Sequence, residues 1–70
     1  MRRRELGIQL VRVREGLSHT AMVVAGGVLF PSGRVVLEWA ISNKMEVWNS
    51  LEQAEQANRD EGRVVETIKI

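Results

Sequence analysis

Few side chains in this chain suit covalent or acid–base chemistry. His19 is the sole imidazole, with Ser18 and Thr20 beside it. A nucleophile–base pair needs the hydroxyl within hydrogen-bond reach of the ring. Neighbours in a strand point to opposite faces, so Ser18 and His19 make no such pair. Asp60 and Glu61 are adjacent carboxylates that read as solvated loop charges after a helix rather than as an acid and its base. Gly26-Gly27 invites a phosphate-cradle reading, but it fits neither the GxGxxG nor the Walker pattern, and no helix start follows it. No carboxylate cluster has metal-ligand spacing, and one histidine without cysteine supplies no zinc set. The expectation is a protein that is not an enzyme, with no catalytic residue, no metal and no cofactor.

Binding chemistry is better represented. Arg2, Arg3, Arg4, Arg12, Arg14 and Arg34 are the six cations of residues 1–34, which carry only two carboxylates. Residues 35–70 carry four cations against seven carboxylates, and the whole chain sums to +1. The six arginines make a candidate nucleic-acid patch through phosphate contacts, with Trp48 as a stacking platform. Against it stand a pI of only 8.4, an acidic helix and the absence of a recognised nucleic-acid motif. Arginines along a strand edge also serve to block edge-to-edge aggregation.

The elements that must position these groups are legible in part. Val28 to Ile41 reads as a hairpin. Pro31 presets the first corner of its turn, and Gly33 takes the left-handed position that closes a three-residue loop. After the turn, Val35, Leu37, Trp39 and Ile41 alternate with Arg34, Val36, Glu38 and Ala40, which puts the first set in the core. Leu6 to Arg14 reads as a first strand whose apolar phase slips, and a bulge near Leu10–Val11 would reconcile it. Ser18 to Phe30 is too long for one straight strand, so a bent strand with a glycine bulge at Gly26-Gly27 is expected. Met45 to Trp48 is a short strand. Ser50 with Gln53, or Asn49 with Glu52, caps a helix over Leu51 to Arg59. Its inner stripe is Leu51, Ala54 and Ala57, with Asn58 at its margin. Arg63 to Ile70 is the last strand.

These elements predict an α+β fold in the order β-β-β-β-α-β. Its sheet is bent, mainly antiparallel and four- to five-stranded, with one short helix packed on one face. Residues 1–70 make a single domain, with 1–5 as a flexible arm. No apolar run is long enough to span a membrane, and no secretory leader is recognisable, so a cytoplasmic location is expected.

Seventy residues make a small core, and small domains often recruit disulfides, a metal or a second subunit. Without cysteine or a zinc set, a well-packed core, self-association or both remain. One thin helix shelters only one sheet face. Val36, Ala40, Trp48 and Val65 are assigned to the uncovered side as a partner interface. The expected function is non-enzymatic protein–protein interaction, as a homodimer. The nucleic-acid module is the alternative.

One resemblance extends this reading. The pattern Gly27-x-x-Phe30-x-x-Gly33-x5-Trp39 is followed by a short strand, the helix start Ser50-Leu51-Glu52-Gln53-Ala54 and the closing Arg63-Val64-Val65. Over residues 17–66 it resembles small uncharacterised proteins encoded by actinobacteria and their phages. Those carry a His-Gly turn before the last strand, where this chain has Asn58 to Gly62. The resemblance implies no activity. It implies an accessory or host-modulating binder of a phage.

Overall fold

A computed structural model describes residues 7–16 and 22–68. The readings made at Arg2, Arg3, Arg4, at Ser18-His19-Thr20 and at Ile70 lie outside the described residues. The elements are β1 (Gln9–Glu15), β2 (Met22–Leu29), β3 (Val35–Trp39), β4 (Met45–Trp48), α1 (Leu51–Arg59) and β5 (Arg63–Ile68). The strands form one sheet in the order β4-β3-β2-β1-β5, and every pairing is antiparallel. Four strands meander, and α1 then carries the chain across one face so that β5 pairs with β1. This is the α+β architecture expected from the sequence.

Local chemistry accounts for the joints. The Phe30 amide donates to the Arg34 carbonyl at 2.9 Å, and the Gly33 amide donates to the Phe30 carbonyl at 2.9 Å. Gly33 sits at φ 99°, a region that costs a side-chain-bearing residue strain. These bonds close a three-residue loop over Pro31, Ser32 and Gly33. At the helix start, the Ser50 hydroxyl accepts the Gln53 amide at 3.1 Å. Ser50 is therefore the cap, and one otherwise unpaired helix donor is satisfied.

The core lies between α1 and one face of the sheet. Val11, Val13, Ala25, Val35, Leu37, Ala54 and Val65 are its buried members. Asn58, also buried, stays satisfied because its amide donates to the Ala54 carbonyl at 2.8 Å. The stripe of α1 is made of small residues, as expected, and this lets the helix sit close to the sheet.

Three local expectations are corrected. No bulge falls at Leu10–Val11, because both strands flanking β1 run in continuous register there. The phase slip has another cause: Leu10 belongs to the opposite face. Gly26-Gly27 is not a bulge either, since its pairing with Arg12 and Val11 is unbroken. The irregularity instead faces Val13/Arg14, where Val24 is the extra residue of β2. Finally, Ile41 is not core. β3 stops at Trp39 because Asn43, at φ 61°, turns the chain, and its amide donates to the Trp39 carbonyl at 2.8 Å. Ile41 is left 94% exposed in that turn.

Candidate docking surface

Residues directly opposite each other on paired strands share a face. The strand register therefore fixes both faces of the sheet. The covered face carries Val11, Val13, Ala25, Val35, Leu37 and Val65. On the other face one row crosses all five strands: Val47, Val36, Val28, Leu10 and Ile68. No described element packs over it. Val47 is 65% exposed and Leu10 is 42% exposed, while Val36, Val28 and Ile68 are half-buried by their row neighbours. Phe30, Pro31 and Arg34 border a shallow depression at the Val36–Val47 end.

A second row runs parallel to the first, two residues along each strand: Met45, Glu38, Gly26, Arg12 and Glu66. Gly26 leaves its middle flat. Arg12 pairs with Glu66 through its Nε. Arg14 joins the same carboxylate, with its Nε 2.9 Å from Oε2 and its Nη2 3.3 Å from Oε1. Two cations thus share one anion on this face. Among the described residues Glu38 makes no ion pair.

The hydrogen bond from Arg12 holds the Glu66 carboxyl below the usual value of 4.5, and the second guanidinium adds to it. A depressed folded value means the unfolded chain takes up the proton first as pH falls. The contribution of Glu66 is complete above about pH 4.5 and is lost as the pH drops through its lowered value. Thermal melts of Glu66→Gln between pH 3 and 7 should show a shallower acid-side decline than the parent. An unchanged slope would remove Glu66 from the acid response.

The expected interface residues divide. Val36 lies on the uncovered face as read. Ala40 sits in the turn after β3, where its amide donates to the Val24 carbonyl at 2.9 Å. Trp48 pairs with Val35 and packs on the core, so it belongs to the covered face. Val65 pairs with Val13 and is buried. The reading of β5 took the wrong one of two adjacent valines: it is Val64 that faces outward, 41% exposed. Val28, Leu10, Ile68 and Val47 were missed as members of the row. The signal for Leu10 was present in the phase slip of β1.

The described arginines do not gather into one patch. Arg12 and Arg14 are paired with Glu66 on β1, whereas Arg34 stands by the β2–β3 turn at the other end of the strands. Arg63 lies on the covered face, its guanidinium 4.9 Å from the Trp39 ring centroid, and Trp39 Nε1 donates to Glu46 at 3.0 Å. Trp39 is thereby engaged within its own chain. Among the described residues no group of three or more His, Cys, Asp or Glu is placed to hold a metal ion. No helix among them is long and apolar enough to cross a membrane.

Comparison with known proteins comes to one finding. The family model described as Acb5 phage protein matches residues 10–67, from the first strand to the last. No curated protein and no solved structure matches the chain.

Proposed function

Because the chain belongs to the Acb5 phage protein family, we propose that it serves its phage as a non-enzymatic binding protein that self-associates through the uncovered face of its sheet. In this reading it is an accessory or host-modulating factor acting in the cytoplasm of the infected cell, with actinobacteria as the hosts to which the sequence resemblance points. The observation that carries the reading is the apolar row from Val47 to Ile68. A row continuous across five strands is more than the scattered apolar residues of an ordinary surface. Covering it would also relieve a core that has only seven buried apolar side chains among the described residues.

The face is small. Five strands at ~4.8 Å and six residues at ~3.3 Å make a face of roughly 20 by 20 Å, so a symmetric pair buries on the order of 1,000 Å². That is the lower edge for a specific interface, and a dimer in the micromolar range is expected. Sedimentation equilibrium from ~1 to ~200 μM should show a concentration-dependent dimer. Val47→Asp should weaken it by tenfold or more, because two copies would each bury a carboxylate against apolar side chains. Its effect on folding should be small, since Val47 is mostly solvent-exposed. A wild-type chain that stays monomeric throughout that range would end the self-association reading.

A further inference from the structure

The charge layout of the uncovered face says how two copies would meet, given the self-association just proposed. Beside the polar row, β1 carries an excess positive charge, since among the described residues Arg12 and Arg14, two residues further along, share the single carboxylate of Glu66. On β3, Glu38 carries a negative charge that no described residue pairs with. Glu38 and Arg12 both pair with Gly26 on β2, so they stand one strand to either side of it. The face therefore carries a charge pair centred on β2.

We infer that two copies pack face to face about a two-fold axis running along β2, so that Glu38 meets the partner's Arg12 twice over. Such an axis keeps each row above its own counterpart and exchanges the two sides of β2. Val28 then lies over itself, Val36 over Leu10, and Val47 over Ile68. Glu38 lies over Arg12 of the Arg12–Arg14–Glu66 cluster, whose net charge is positive, and Met45 lies over Glu66. An axis running across the strands, along the apolar row, would also stack that row on itself. It would set Glu38 near Arg34 but leave Arg12 facing the apolar Ile8, with its extra charge uncompensated. Like charges or unpaired charges at a desolvated interface are costly, so the axis along β2 is favoured. Two aligned sheets pack ~10 Å apart with a modest crossing angle, which this axis permits.

The test uses charge exchange. Glu38→Arg alone sets Arg against Arg at both contacts, and Arg12→Glu alone sets Glu against Glu. Each should weaken its homodimer by tenfold or more. Mixed in equal amounts, the two variants should form a heterodimer of near wild-type strength, since both of its contacts are then opposite in charge. Native mass spectrometry reads the three species directly, and far-UV circular dichroism checks that each chain is folded. Should Arg12→Glu fail to fold, thiol linking replaces it, because the chain has no cysteine of its own. Val28→Cys should be joined across the dimer by a short bismaleimide, whereas Val47→Cys should not. Under this axis the two Val47 positions lie ~20 Å apart across four strand spacings. Efficient linking at Val47, or rescue of Glu38→Arg by Arg34→Glu instead of Arg12→Glu, would overturn this axis and leave self-association standing. A monomeric wild-type chain removes both at once.

Discussion

Gly27→Ala should abolish cooperative folding at ambient temperature or bring the melting transition down by more than ~10 °C. A Cβ at this position would lie 1.7 Å from the Val36 carbonyl oxygen, 2.8 Å from the Val36 carbonyl carbon and 2.9 Å from the Leu37 Cα. All three are backbone atoms of β3, so no side chain can swing aside. Relief requires β3 to move away from β2, which breaks the ladder between them. That ladder also carries β4, because β4 pairs only with β3 in the sheet. A domain of this length has about 3.5–10 kcal/mol of net stability at ~0.05–0.15 kcal/mol per residue. Opening a central ladder and its half of the core takes much of that.

Gly26→Ala is the matched control. Its added Cβ would meet only the Val11 carbonyl oxygen, at 3.9 Å, which is ordinary contact. Removing glycine's freedom from the unfolded chain should make that change neutral or slightly stabilising. Urea titrations of the two variants followed by circular dichroism separate the cases. If Gly27→Ala melts within ~2 °C of the parent, the close approach of β3 to β2 is wrong.

The contrast between these neighbours marks what the sequence could and could not reveal. Turn and cap chemistry is local, so Pro31 and Gly33 could be placed from their immediate neighbours and the cap narrowed to Ser50 or Asn49. Alternation over Val35 and Leu37 was long enough to identify a buried face. The close approach at Gly27 depends on β3, nine or ten residues away, and nothing next to Gly27 encodes it. The face of β5 was harder still. Val64 and Val65 are adjacent and chemically alike, and only the pairing of Val65 with Val13 decides which is inside. That pairing spans most of the chain.

The candidate surface failed in the sequence for the same reason it became visible in the structure. Its members come one from each strand, so no segment shows more than one of them. Leu10 alone announced itself, by disturbing the alternation of β1, and was explained by a bulge that does not exist. Once register aligns Leu10 with Val28 and Ile68, the disturbance becomes a second apolar face. A helix of nine residues is about 13.5 Å long and cannot wrap both sides of a five-stranded sheet. That one short helix leaves the second face uncovered by any described element follows from area, which the sequence shows, rather than from phase, which it does not.

Leu37→Ala should be the most costly truncation in the core, at about 2–5 kcal/mol. Leu37 is fully buried and is the largest of the fully buried side chains. Across the covered face, the close backbone approach of β3 at Gly27 separates it from Val11. Truncating Leu37 opens a cavity between strands whose backbones are already in close contact and have little room to collapse into it. From the helix above, the fully buried side chain is Ala54, whose methyl group is too short to fill the space, while Leu51 packs at the core's margin. Against a total of about 3.5–10 kcal/mol, the loss takes about a fifth of the stability or more. The midpoint of urea unfolding should fall accordingly, with the slope little changed if unfolding stays two-state. The change sits on the covered face, so in the proposed dimer the folded fraction should retain the parent's affinity. A loss under ~1 kcal/mol would mean that Leu37 is not the centre of the core. A dimer weakened tenfold at full folding would mean that the two faces of the sheet are coupled, and that the outer row depends on how tightly the inner one is packed.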